Sequence, residues 1–350
     1  MNGTSKSSFW SKARKIFGFL LKFAIASAAV WFLLLRNPQA LKTSLTGFSL
    51  FWLIPAGTAY CFHMLVVGWR WKKLTSILGV ELPGAEAYSL TFQGYFFSLV
   101  IPGGAIGGDV VKMGVFSKRT KAGAKAEGAF TILMDRIVGM ISLFLLTLAL
   151  LPFAVPLLMQ VEVPGVHHSL NPALIAAFAL LCLAGLGASC IIFFHQAIRK
   201  VGFLDKWMQT ADRISHGLLF RMTAATDVYA RHWKDLSLLV LIGIFLVIIM
   251  TVFPLFFLFA GMGVRYSVFA VIVALTIGNI VGLLPFLPAG VGGRDLVTVM
   301  ILTASGIPAD RGTCAMLIYT MILLFFNLLG GVFFVFDSGR KQETVKNGES

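Results

Sequence analysis

Of 350 residues 58% are hydrophobic and 13% charged, the mean hydropathy is +0.87, and 32 residues are phenylalanine. No soluble domain can hide that much apolar surface, so the chain reads as an all-α polytopic membrane protein. Its net charge of +14 raises nucleic acid as a partner. The Lys and Arg residues argue against it, because they lie in connections between apolar spans, where the positive-inside bias accounts for them.

Residues 1–15 are polar and basic (Lys6, Lys12, Arg14, Lys15) and lead into an apolar stretch, Ile16 to Leu35, long enough to cross a bilayer. A signal peptide competes here, since Ala26-Ser27-Ala28 resembles a cleavage site. The apolar run continues through Trp31, however, which favours a retained helix. A second span covers about Ser49 to Gly68, and Arg70, Lys72 and Lys73 place its far end in the cytoplasm. Ala87 to Ile101 is apolar but too short to cross comfortably. It ends at a proline and glycine run, and Lys112, Lys118, Arg119, Lys121 and Lys125 follow on what reads as the cytoplasmic side again. This segment is expected to enter and return as a re-entrant hairpin.

The third span, about Ala129 to Leu151, carries Asp135 and Arg136 in its first turns, and residues 152–172 contain no Lys or Arg, as an external loop should. Glu162, His167 and His168 in that loop lack metal-ligand spacing, so no metal site is expected. A fourth span, Ala173 to Phe194, returns to a basic connection over 195–235, where Phe203, Leu204, Trp207, Ile214, Leu218 and Met222 recur at helical spacing. That pattern suits an amphipathic helix on the inner leaflet or a solvated linker equally. A fifth span, Leu236 to Ala260, leads out, and a second apolar arm, Val268 to Leu287, re-enters. Arg311 marks its return before a sixth span, Thr313 to Phe336, and a basic cytoplasmic tail, 338–350. The four cysteines sit singly in apolar runs and read as packing residues.

A short motif occurs twice in this chain. Pro102-Gly103-Gly104-Ala105-Ile106-Gly107-Gly108-Asp109 returns 186 residues later, so that Pro102, Gly104, Gly107 and Asp109 become Pro288, Gly290, Gly293 and Asp295. The same offset relates Gln93 to Asn279, a lone amide in each apolar arm. Three full spans separate the copies, an odd number, so they enter from opposite faces. The expected architecture is an inverted repeat of about six full spans and two re-entrant hairpins, eight hydrophobic segments in all. The halves run about 16–151 and 173–336, within one membrane domain over 1–337. Paired broken segments meeting near the midplane are how alternating-access carriers are built.

Glycines allow close backbone approach, and the N–H groups of a following helix give a fixed positive end that suits an anion such as a lipid phosphate. The candidate headgroup ligands are Gly103, Gly104, Gly107, Gly108, Asp109, Lys112, Asp135, Arg136, Gly290, Gly292, Gly293, Arg294 and Asp295, with Gln93 and Asn279 as polar lining. Arg294, which falls where the first copy has Gly108, has the planar fork that pairs bidentately with phosphate. Asp109 and Asp295 also read simply as N-caps, and the glycines as tight helix packing. Asp135 and Arg136 either line a cavity or mark the interface. There is no catalytic signature, and no cofactor is expected.

These residues carry a resemblance. The Pro102 to Lys112 run, the Asp135-Arg136 pair at the head of the next span, and Leu287 to Asp295 look like the flippase-like family of the lysylphosphatidylglycerol synthetase transmembrane region, also grouped as UPF0104 membrane proteins. The resemblance covers about residues 15 to 337. In multidomain members this region is implicated in moving aminoacylated phospholipid, while a separate soluble domain attaches the amino acid. These 350 residues hold no such domain, so the resemblance implies the lipid-handling half alone. Wider relatives are associated with glycosyl-lipid and hopanoid pathways, and the second motif often has Glu where Asp295 stands.

The expected function is therefore a flippase or transporter for an anionic phospholipid or glycolipid in a bacterial inner membrane, with both termini cytoplasmic. The alternatives are an intramembrane lipid-modifying enzyme and a non-transporting partner of a lipid-synthesis enzyme. Membrane lipid is the expected partner, and a synthesis enzyme and a second copy of the chain are further candidates.

Overall fold

A computed structural model describes residues 42, 46, 48–101, 105–117, 125–162, 172–193, 218–283 and 292–348. Its regular elements are helices. A 3-10 turn, Leu50–Trp52, leads into α1 (Leu53–Ile77), followed by α2 (Gly84–Val100), α3 (Ala105–Ser117), α4 (Lys125–Leu158), α5 (Pro172–Phe193) and α6 (Leu218–Arg231). Next come α7 (Trp233–Ile242), a π-helical segment Gly243–Ile248, α8 (Ile249–Gly261), α9 (Val268–Gly282), α10 (Gly293–Ala304) and α11 (Ala309–Gly348).

Among the described residues five stretches are long and apolar enough to cross a membrane: Leu50–Ile77, Glu127–Leu158, Pro172–Ser189, Trp233–Gly261 and Ala309–Phe336. They agree with the second to sixth spans read from hydropathy; the first, Ile16 to Leu35, lies outside the described residues, as do His167 and His168. Leu180, Leu181 and Leu183 on α5, and Phe325, Leu328, Val332 and Phe336 on α11, are exposed, which is how a spanning helix presents itself to lipid.

The order long, short, short, long occurs twice. α2 and α9 start at 84 and 268, and α4 and α11 at 125 and 309, so both pairs are 184 residues apart. The helices between them, α3 and α10, start at 105 and 293, 188 residues apart.

The chain divides into two compact units. The first contains the start of α1 to Tyr60, Thr91–Lys112 of α2 and α3, and everything from Phe253 onward; the second contains Cys61–Leu90 and Met113–Val252. In the first unit, Trp52 stacks on Phe257 at 6.1 Å between ring centroids, and the Ser49 N–H donates to the Gly261 carbonyl at 3.1 Å. Gly330 and Gly331 of α11 let the helix backbones meet α2 at Phe92 and Phe96, flanked by Phe92–Phe333 and Phe97–Phe334 ring pairs at 5.2 and 5.0 Å.

The second unit packs around Leu74, Phe130, Met134, Ile137, Val138, Ala225, Tyr229 and Leu239. Two buried donors there are paired: Tyr229 Oη donates to the Leu74 carbonyl at 2.8 Å, and Trp71 Nε1 donates to Thr131 Oγ1 at 3.1 Å. The π-helical segment precedes Pro254, whose ring removes a donor and crowds the carbonyl one turn earlier.

Candidate functional site

The N-cap of α10 is Gly292, whose φ of 90° is open to glycine and costly for any residue with a Cβ. Asp295 is the third residue of that helix and not its N-cap, but its carboxylate reaches back to cap it, accepting from the Gly292 N–H at 3.4 Å. It does more than cap. Arg294 Nε donates to Asp295 Oδ1 at 2.8 Å, Thr320 Oγ1 donates to Asp295 Oδ2 at 2.9 Å, and Arg294 Nη2 donates to Thr320 Oγ1 at 3.0 Å. The guanidinium lies 5.0 Å from the ring centroid of Tyr319, which meets Tyr60 edge to face at 6.2 Å. All five residues are buried, so the ion pair carries its own neutralisation into an apolar interior.

The first copy is built differently at its start. α3 begins at Ala105, so Gly107 and Gly108 lie inside the helix and Asp109 is its fifth residue. The expectation that Asp109 caps the helix is therefore corrected. Gly108 serves packing: a Cβ on it would strike the Gly94 carbonyl and sit 2.9 Å from the Ser98 nitrogen, both backbone atoms of α2. One turn later the Lys112 stem rests on Gly94, with Cδ 3.5 Å from where a Cβ there would be, and Nζ lies 3.5 Å from Thr91 Oγ1. Lys112 is 6% exposed.

The second copy repeats this contact. Gly278 of α9 sits against Thr298 Oγ1 and the Arg294 carbonyl, and Arg294 Cγ lies 3.4 Å from where its Cβ would be. Positions 108 and 112 correspond to 294 and 298 by the motif offset of 186, and Gly94 corresponds to Gly278 by the element offset of 184. In both copies a glycine of the first short helix seats two residues one turn apart on the second. One of the two is a buried cation, Lys112 in the first copy and Arg294 in the second; the other is small, Gly108 or Thr298.

Gln93 is buried next to Gly94, and Asn279 is half-buried next to Gly278. Gly293 opens α10 and is half-buried, while Gly103, Gly104 and Gly290 lie outside the described residues. Asp135 belongs to the second unit. Its partner is Arg70, whose Nε donates to Asp135 Oδ1 at 2.8 Å and whose Nη2 donates to the Asp135 carbonyl at 3.2 Å; neighbouring Arg136 is exposed. A Cβ on Gly139 would sit 3.3 Å from Arg70 Nη2, so that glycine makes room for the guanidinium.

Several of these residues escaped sequence reasoning. Arg70 reads as one of three cytoplasmic charges, yet α1 runs on to Ile77 and carries it inside, leaving only Lys72 and Lys73 exposed. The seat glycines were hidden by order, Gln93-Gly94 in one copy and Gly278-Asn279 in the other, so aligning the amides misaligns the glycines. Tyr60, Tyr319 and Thr320 had no signal beyond being polar atoms in apolar spans.

A UPF0104 membrane protein of Pyrococcus horikoshii is 20% identical over 282 residues, covering 78% of this chain and 83% of that protein. The family model for the lysylphosphatidylglycerol synthase TM region matches residues 19–331. The chain is a multi-pass membrane protein belonging to the lysylphosphatidylglycerol synthase TM-region family.

Proposed function

We propose that the chain moves an anionic phospholipid or glycolipid across a bacterial inner membrane, with the headgroup phosphate held in the first unit by the two return helices. The observation that carries this reading is the repeated seat: in each copy one buried cation rests on a glycine of the preceding arm. Buried cations at membrane depth are expensive, and one beside the arm glycine of each copy, one turn apart in register on the two return helices, fits an anion that is handed from one to the other. The arms α2 and α9 with the return helices α3 and α10 form the re-entrant hairpins of an inverted repeat. The odd number of spans between them points them at opposite leaflets, and both termini then lie in the cytoplasm.

In this mechanism the Arg294–Asp295 pair is the resting state. A phosphate oxygen pair matches the guanidinium fork and exchanges with the carboxylate, which keeps its bonds from Thr320 and the Gly292 N–H. The backbone donors at the start of α10 supply the rest of the positive field. Gly107, Gly292 and Gly293 allow close approach, while Gln93 and Asp109 line the path near Lys112 and Asn279 lines it near Arg294. Asp135 serves the fold of the second unit through Arg70.

The test is reconstitution of the purified protein into vesicles with a leaflet-resolved assay of labelled phosphatidylglycerol. Accelerated transfer of chemically unchanged lipid is the expected result. A new lipid product would instead establish an intramembrane enzyme, and neither change would leave a non-transporting partner of a synthesis enzyme.

A further inference from the structure

The two oxygens of Asp295 are held by different groups. Oδ1 faces Arg294, which donates to it from Nε at 2.8 Å and places Nη2 at 2.7 Å. Oδ2 accepts from Thr320 Oγ1 at 2.9 Å and from the Gly292 N–H at 3.4 Å. When a headgroup phosphate takes the Arg294 fork, Oδ1 is the oxygen released, and Oδ2 keeps both of these donors.

The charges then no longer cancel. At rest the pair sums to zero, whereas a phosphodiester brings one negative charge, so the loaded site sets two anionic groups against one guanidinium. Asp295 is 3% exposed. A buried carboxylate beside a second anion, with its counter-charge taken, is disfavoured against its neutral acid. The helices packed on α10 bring no second cation to it. α9 has no titratable side chain over Val268–Gly282, and α11 brings Tyr319, with Tyr60 of α1 and Tyr95 of α2 near enough to interact with that ring. The nearest cation along α11, Arg311, stands nine residues before Thr320, about 13 Å by helical rise. A metal ion in that place would want several oxygen ligands, and no group of three or more His, Cys, Asp or Glu among the described residues could hold one. A proton needs no such shell.

We propose that Asp295 takes up one proton for each anionic headgroup that Arg294 binds, so that a proton is carried with the lipid. The proton comes from water on the side where the lipid enters, bonds to Oδ1 and is donated from there to a phosphate oxygen. When the headgroup leaves, Arg294 returns to Oδ1 and the proton passes to water on the other side. The site is neutral both at rest and when loaded. This rests on the lipid-handling reading above and adds a second transported species to it.

The experiment measures proton uptake as short-chain phosphatidylglycerol binds the full-length protein in detergent, by titration calorimetry in buffers of different ionisation heat at neutral and mildly acidic pH. The phosphodiester does not titrate there, so uptake belongs to the protein. Wild type is expected to take up close to one proton per lipid, its affinity rising by up to about tenfold for each unit that the pH falls. Asp295→Asn should bind the lipid at least as tightly, with no uptake and an affinity flat in pH. Its melting temperature should also rise more with lipid than that of wild type, since the phosphate restores the counter-charge that Arg294 has lost. Thr320→Val keeps the carboxylate and the guanidinium but takes a donor from Oδ2, and should move the pH dependence to higher pH. Binding by wild type without uptake overturns the proposal and leaves the lipid reading standing. So does uptake that persists in Asp295→Asn or, where that variant does not fold, an unmoved pH dependence in Thr320→Val. An affinity that follows sodium in place of pH gives the role to a metal ion and overturns it as well. If wild type does not bind the lipid, the lipid reading itself fails and the proposal falls with it.

Discussion

Arg294 and Asp295 are 4% and 3% exposed, so each is tolerable inside the protein only because the other is there. Removing one charge strands its partner. Asp295→Asn keeps two hydrogen-bonding atoms but loses the counter-charge, and is expected to destabilise the protein by about 3 to 5 kcal/mol, read as a lower melting temperature in detergent. Replacing both, as Arg294→Met with Asp295→Leu, removes charge and partner together and should recover most of that loss. If Asp295→Asn melts like wild type, capping is the residue's whole duty and the ion pair contributes nothing. Arg294→Lys keeps the charge but not the fork, and should lower the preference for anionic over neutral lipid by about tenfold or more, corresponding to about 1.4 kcal/mol or above, with little change in melting. Of this site, Arg294 and Asp295 were legible from the repeat alone, whereas their mutual bond was not: adjacent residues in a helix need not face each other, and only Thr320 on another helix draws the two together.

At the scale of elements, helix crossings explain glycines better than helix breaks do. Gly108 and Gly114 both lie in α3, and the pair makes a controlled comparison. A Cβ on Gly108 meets backbone of α2, which cannot turn aside, so Gly108→Ala should cost about 1 to 3 kcal/mol. Gly114 is exposed with nothing within 4 Å of an added Cβ, so Gly114→Ala should be neutral or stabilise by up to about 1 kcal/mol through helix propensity. Thermal melts of the two variants beside wild type check this, and equal behaviour would mean that the α2–α3 crossing is not where it is described. The same comparison shows why the first motif was misplaced from sequence. A Gly-Gly pair followed by Asp is a local signal for a break and a cap, but tertiary packing overrides it, and α3 starts at Ala105. At the second motif the positive φ of Gly292 stands at the N-cap of α10, three residues before the Asp295 that the motif offered as the cap.

For the whole molecule, the five described spans were readable because hydropathy over a bilayer's thickness is a coarse quantity that single residues barely perturb. Orientation rests on the basic connections. With the natural cysteines replaced, single cysteines introduced in 195–235 and 338–350 should label from the cytoplasm, and those in 155–170 from outside. Labelling of 195–235 and 338–350 from opposite sides would end the inverted-repeat account, because it requires an even number of crossings between them. The central claim, that one buried cation per repeat carries the headgroup, is tested most directly by leaflet-resolved phosphatidylglycerol transfer. The rates to compare are those of Lys112→Met and of the charge-free Arg294→Met with Asp295→Leu protein against wild type, each confirmed as folded by gel filtration. The account predicts that each variant loses at least tenfold in rate; wild-type transfer by either one would contradict it.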